Sequence, residues 1–339
     1  MLKNILLRGE LGDNQSCGIV NIGLCYGFER NGVNVSIDPK SLYGQIPKYA
    51  YERIGRKLPF DVVVEHGLPY QMQGLGKNRP WKRIALNFWD SSLITKEAAD
   101  CLNEYADQII VHSEFNRKGL LDAGVEKEVI VGGYAVFTEL YRNIVKKQKD
   151  KFRFVFTGVA QGRKGVQEAI SGFEEALGDK DDVEFVIKSN SWGKLSDYTV
   201  KCKNVLRVYE EFPRGKLIEF MANADAYICL SKGDGFHGGG CEAMACGLPL
   251  IMTNFGGPTE YCNEKTGYPI KFDLAECHYL PGYQAEPDME HYKETLLHVY
   301  NNREEAKLKG EYGYKWAQEY WDWEHDCKRL IEKLEGRND

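Results

Sequence analysis

Two carboxylates, Asp234 and Glu242, stand with seven residues between them in a segment dense in glycine: Gly233, Gly235, Gly238, Gly239 and Gly240. Before them lies a short apolar run, residues 226–230, of the kind that forms a buried strand. After them, residues 241–246 read as a short helix stopped by Gly247, and 248–252 as a second strand. A glycine-rich turn between strand and helix aims unpaired backbone N–H groups and a positive helix end at an anion. Carboxylates cannot hold that anion, but each can clasp two sugar hydroxyls. A phosphate on the turn with hydroxyls beside it describes a sugar nucleotide. Taken alone, Asp234 also reads as a turn residue and Glu242 as an ordinary acid of a first helical turn, because a glycine-rich loop is a weak signal.

A second turn has the complementary charge. The run GVAQGRKG, residues 158–165, separates an expected strand (152–156) from an expected helix (166–177). It carries Gly158, Arg163 and Lys164, and cations on a glycine-rich turn ahead of a helix suit a diphosphate. Lys188 closes the next strand, 183–187, and is expected to point the same way.

The pieces GDGFHGGGCEAMACGLPLIMTN and FGGPTE resemble the signature of glycosyltransferase family 4, whose members are retaining enzymes of the GT-B fold. The run YADQIIVHSEFN (105–116) and the Gly…Lys-Gly turn resemble the same family. Two positions depart: Asp234 stands where the family usually has Glu, and His237 where it usually has Gly. The resemblance implies an α/β chain of two Rossmann-like domains facing each other across a cleft. It implies a hexosyltransferase-like enzyme that moves a sugar from a UDP- or GDP-sugar to an acceptor hydroxyl with retention, by a front-face transfer that needs no metal or other cofactor. In that scheme Arg163, Lys164 and the helix end near Gly239 and Gly240 neutralise the departing diphosphate. Asp234 holds the donor sugar and Glu242 the ribose. Gly158, Lys188, Tyr209, Gly235, Phe236, His237 and Gly238 complete the donor-binding set. Tyr209 sits where the family binds the base.

The elements that must position these groups follow in order. Residues 4–7 and 33–37 are expected strands around a helix, 19–30, and the connecting loop contributes Asp13, Ser16 and Gly18 to the acceptor side. Residues 61–65, 83–87 and 129–131 are further strands, with Ser113 as a helix N-cap. The run NFWDS (87–91) opens from a strand end. Trp89 offers an aromatic face to a sugar ring, Asp90 an acid to steer the acceptor hydroxyl, and His112 a second strand-end group. Core packing for Trp89, a cap for Asp90 and a structural role for His112 are the alternatives. Residues 209–213 lead into a helix at 215–223, a strand is expected at 268–272, and 273–287 show no readable pattern. Three helical runs close the chain, the last holding Trp316, Trp321 and Trp323. The charged run 146–151 reads as a linker. The expected domains are therefore 1–148 for the acceptor, 149–312 for the nucleotide sugar, and 313–339 as a terminal helix bracing the first domain.

The chain has 339 residues and a formal net charge of −6, which suits two ordinary domains and argues weakly against a polyanion as main partner. Residues 1–150 carry 20 basic and 18 acidic side chains, the rest 24 and 32. Ten cysteines are scattered without C-x-x-C spacing, the pattern of reduced thiols in a cytoplasmic protein. No signal-peptide or membrane-spanning run is evident, and no Asp-x-Asp triplet for a divalent cation. The acceptor is expected to be a glycan, a lipid-linked sugar or a small molecule. Lys77, Arg79, Lys82 and Arg83 around Trp81 keep DNA or protein modification open, and the departures at Asp234 and His237 keep open a non-catalytic nucleotide-sugar binding module.

Overall fold

The computed structural model describes residues 2–13, 15–76, 79–141, 150–189 and 193–337. The chain divides into two compact units. Unit 1 comprises Met1–Phe137, Cys277–Gly282 and Glu319–Asp339; unit 2 comprises Thr138–Glu276 and Tyr283–Gln318.

Unit 1 is built on six parallel strands: β1 (Asn4–Gly12), β2 (Asn34–Tyr43), β3 (Val62–His66), β4 (Lys82–Asn87), β5 (Gln108–Val111) and β6 (Val129–Val131). Their order in the sheet is β2-β1-β3-β4-β5-β6. Helices α1 (Ser16–Arg30), α2 (Lys48–Tyr51), α3 (Lys96–Tyr105) and α4 (Glu114–Asp122) connect them. β3 and β5 are buried along their whole length, which is why each contains a run of three apolar residues, 62–64 and 109–111. Ser113 caps α4 by accepting from the Asn116 N–H at 3.2 Å.

The first loop is shorter than expected. β1 runs on to Gly12 because β2 extends beside it to Tyr43, with a register shift between Gly9 and Glu10. α1 then starts at Ser16, so Gly18 lies in the helix and not in the loop. A Cβ there would sit 2.4 Å from the Gly12 carbonyl oxygen, so the residue is small to let α1 press on the strand end.

Unit 2 repeats the architecture. Its strands β7 (Phe152–Thr157), β8 (Val183–Lys188), β9 (Val205–Val208), β10 (Ala226–Cys229), β11 (Leu250–Thr253) and β12 (Gly267–Ile270) lie in the order β12-β11-β10-β7-β8-β9. The unit 2 sheet thus carries the 3-2-1-4-5-6 order of a dinucleotide-type fold, while the unit 1 sheet follows the other doubly wound order, 2-1-3-4-5, with β6 added at its edge. Helices α5 (Val166–Leu177), α6 (Arg214–Ala222) and α7 (Gly238–Ala245) connect the strands. α5 buries Val166, Ala169, Ile170, Phe173 and Leu177, the three-and-four spacing of one helix face. The stretch without a readable pattern folds as an antiparallel hairpin, β13 (Phe272–Glu276) with β14 (Tyr283–Pro287). Most β13 side chains are exposed or half-buried, so it lacks the in-and-out alternation that marks a strand. Helices α8 (Met289–Asn301), α9 (Arg303–Tyr320) and α10 (Trp323–Leu334) end the described chain.

Two expected boundaries are corrected. Unit 2 begins at Thr138 rather than 149, and residues 146–149 of the expected linker lie outside the described residues. α9 runs unbroken through residue 313 because Gly310 and Gly313 seat it against Gly247 and Met244 of the same unit. α10 belongs to unit 1, where fully buried Trp323 lies over Gly23. Among the described residues, no helix is long and apolar enough to cross a membrane.

The seat of α10 contains a buried acid. Asp326 is 5% exposed, accepts the Gly133 N–H at 2.9 Å, and lies 3.4 Å from the Arg329 guanidinium. Burial outweighs both partners and pushes its carboxyl up to about 6. The folded chain therefore binds this proton more tightly than the unfolded chain, whose carboxyl titrates near about 3.9. Stability from this group is present at low pH and is lost as pH rises through about 6. Relative to Asp326→Asn, the wild-type chain should lose about 2–3 kcal/mol between about pH 4 and about pH 7. Urea denaturation of both proteins across that range checks it, and parallel pH profiles would refute it.

Candidate active site

β7 and β10 are neighbours in the unit 2 sheet, so the turns leaving their carboxyl ends meet. The first is a 3-10 turn, Gly162–Lys164, and the second is the loop from Leu230 to His237. They interlock through backbone: the Lys232 N–H donates to the Arg163 carbonyl at 2.7 Å. Gly165 has φ +62°, and a Cβ on it would stand 2.0 Å from the Leu230 carbonyl oxygen. Only glycine lets the two turns close to this distance.

The interlock brings four of the expected side chains together. The Lys164 ammonium donates to Asp234 Oδ2 and lies 3.2 Å from His237 Nδ1. His237 Nδ1 is itself 3.1 Å from the same Asp234 oxygen. The Arg163 guanidinium stands 3.6 Å from Asp234 Oδ1 and donates to the Gly233 carbonyl at 3.0 Å. Ser231 adds a hydroxyl 3.2 Å from Asp234 Oδ2. Lys164, Asp234 and His237 are all buried. Burial alone would raise the Asp234 carboxyl, but Lys164, His237 and Arg163 together hold it well below the usual carboxylate range.

His237 is the helix cap of α7 and, among the described residues, the only non-glycine with positive φ, +66°. Two buried tyrosines that the sequence reading missed hold it there. Tyr261 donates to the His237 carbonyl at 2.6 Å and lies 3.1 Å from the Phe236 carbonyl. The Tyr227 hydroxyl gives its proton to the Thr157 carbonyl at 3.0 Å, so at 2.9 Å it accepts from His237 Nε2–H. Burial works against charge on this ring. Cys229 and the Asp234 carboxylate outweigh both burial and the nearby Lys164, raising the ring to about 9.

The remaining donor-side residues fall at the same strand ends, with one correction. Gly238, Gly239 and Gly240 form the first turn of α7 instead of a loop, so Glu242 lies one turn deeper than expected. It is buried, and its Oε1 pairs with Arg214 Nη1 at 2.6 Å. Arg214 begins α6 and also donates to the buried Tyr141 hydroxyl at 2.7 Å. Nothing in the spacing marked Arg214 beyond Pro213 just ahead of it. The Gly158 N–H donates to the Lys188 carbonyl at 3.2 Å. Lys188 lies 5.3 Å over the Phe212 ring, its ammonium pulled below the ordinary lysine value by burial. Gly235 packs under Gly257, the Phe236 ring lies tilted against Tyr261 with centroids 5.3 Å apart, and Tyr209 is exposed just past β9.

The acceptor-side residues are all in unit 1 and are not gathered into one cluster of contacts. Asp13 accepts the Gln45 N–H at 2.7 Å, and Ser16 is exposed at the start of α1. Trp89 packs on the unit 1 core, its carbonyl accepting from Asn116 at 2.7 Å. Asp90 is half-buried beside Cys17. His112 is buried, lies 3.2 Å from the Gly132 carbonyl, and is depressed to about 4 by burial. In the basic cluster, Lys77 lies outside the described residues, and Arg83 is chelated by Asp107 at 2.6 and 3.0 Å. Trp81 meets Phe60 edge-on at 5.0 Å.

Comparison with known proteins completes the picture. A family model described as glycosyl transferases group 1 matches residues 137–316. A curated protein of Methanocaldococcus jannaschii, named as an uncharacterized glycosyltransferase, is 27% identical over 237 residues. That match takes in 68% of this chain and only 59% of the relative's length. Among solved structures, HepE of Anabaena in complex with UDP-glucose is similar over 98% of this chain and 99% of its own, at TM-score 0.73 and 12% identity. Sucrose-phosphate synthase of Thermosynechococcus elongatus is similar over 99% and 100%, at TM-score 0.74 and 15% identity. At such identities the likeness carries the fold, which is GT-B.

The Arg214–Glu242 pair permits a stability test. Arg214→Gln should cost about 3–5 kcal/mol, because it leaves a buried carboxylate without its counter-charge. The double change Arg214→Gln with Glu242→Gln should recover most of that loss. Urea midpoints of the three variants and the wild type measure the coupling; a single-variant cost below about 1 kcal/mol would show that the pair is not needed.

Proposed function

The chain belongs to the glycosyl transferases group 1 family, and on that premise we propose that it moves a sugar from a UDP- or GDP-sugar to an acceptor hydroxyl with retention. What carries the reading is the meeting of Arg163, Lys164, Asp234 and His237 on two adjoining strand-end turns of unit 2. The donor's diphosphate sits against Arg163, Lys164 and the N-terminal turn of α7, where fixed positive groups stabilise the charge of the leaving group. Asp234 takes the sugar hydroxyls. Glu242 takes the ribose hydroxyls while Arg214 holds its Oε1. The glycosidic bond breaks as the acceptor oxygen approaches the same face, and a donor phosphate oxygen receives the acceptor's proton. This scheme asks for no metal, since protein cations meet the diphosphate charge.

On unit 1, Asp90 and Ser16 are the proposed contacts of an acceptor that is a glycan, a lipid-linked sugar or a small molecule. A second reading, a binding module without turnover, has one observation in its favour: both carboxylates already hold protein cations.

A panel of UDP- and GDP-sugars, each followed by nucleoside diphosphate release, separates the two. Release with at least one donor is expected, with the product anomer matching the donor by NMR. Binding without release across the panel would leave the module. Lys164→Ala should slow release by about 10²-fold or more, and a change below about threefold would remove Lys164 from the site.

A further inference from the structure

Resting on the donor-site reading above, we infer that His237 is the reserve counter-charge of Asp234. When the Lys164 ammonium turns from Asp234 to the donor's diphosphate, the His237 imidazolium keeps the buried carboxylate neutralised, so donor and proton are held together.

The geometry leaves His237 one variable proton. Nε2–H is committed to the Tyr227 hydroxyl, which in turn donates to Thr157. Nδ1 faces two groups of opposite character, the Lys164 ammonium at 3.2 Å and the Asp234 carboxylate at 3.1 Å. An ammonium only donates and an ionised carboxylate only accepts. Nδ1 is therefore bare when it takes a bond from Lys164 and protonated when it gives one to Asp234. The Tyr261 hydroxyl on the His237 carbonyl holds the backbone, and the Tyr227 hydroxyl on Nε2 keeps the ring in place between these states.

Lys164 has two claims on it once a diphosphate arrives. If it left Asp234 with nothing in its place, a buried charge would stand uncompensated, which is strongly disfavoured. Arg163 stands farther off, 3.6 Å from Oδ1. The other titratable groups around the ring are Cys229 and Tyr227 on β10, Tyr261 after β11, and Glu242 on α7 as a charge sensed by Tyr227. None of these supplies a cation to Asp234 Oδ2.

The ring's proton is held up to about 9 before any donor binds, so the ring is charged below that pH and loses its charge as pH rises through it. An anionic donor holds the proton further still. Proton uptake from solvent on binding is thus expected to be close to zero at about pH 7 and about half a proton near pH 9. Donor affinity should fall above that pH.

Isothermal titration calorimetry of the full chain with UDP, and separately with GDP, tests this in paired buffers of unlike ionisation enthalpy. The variants are His237→Asn and His237→Gly, both compatible with the left-handed backbone. The wild type should take up about half a proton near pH 9. Both variants should take up none at either pH and bind about tenfold more weakly. Equal uptake in wild type and variants, or nucleotide binding without uptake by the wild type near pH 9, would overturn the inference. Failure of the wild type to bind either nucleotide would instead bring down the donor-site reading beneath it.

Discussion

One buried carboxylate organises unit 2. Asp234 sits where water cannot solvate it, so its charge is tolerable only with cations placed against it. Those cations come from the turn after β7, while the acid comes from the turn after β10. The pair therefore exists only because the sheet sets β10 beside β7, although some seventy residues separate them in sequence. The left-handed glycine at 165 and the backbone bond from Lys232 to Arg163 are what close the remaining gap.

Around that pair, polar groups are arranged in layers that each fix the next. Thr157 orients Tyr227, Tyr227 orients the His237 ring, and His237 faces Asp234. Tyr261 holds the loop's backbone in a conformation that a histidine seldom adopts. A parallel arrangement runs from Tyr141 through Arg214 to Glu242. Both acids of the seven-residue spacing are thus braced by groups from other elements, which leaves little freedom to either.

Much of this was readable in advance, for identifiable reasons. Strands buried on both faces announce themselves as apolar runs, and the α5 face and the Ser113 cap follow from local spacing. The two glycine-rich turns and their charged residues were legible because a phosphate-binding turn needs those residue types in sequence. What was hidden depends on distant neighbours. Glu242's partner Arg214 is brought to it only by the strand order, and the tyrosines on His237 look in sequence like core aromatics. Gly238, Gly239 and Gly240 were misread as loop because glycine disfavours helix, yet packing against Tyr227 and Tyr261 demands a helix without side chains there. The β13–β14 hairpin escaped notice because its outward residues break the alternation.

The placement of α10 bears on how the protein is made. Trp323 fills unit 1 against Gly23, so a sheet synthesised before unit 2 waits for a helix synthesised after it before its core is closed. Unit 2's six-stranded sheet is fully synthesised in the interval. During translation the N-terminal unit must persist with an open apolar seat over α1, and that nascent species is where chaperones and aggregation compete.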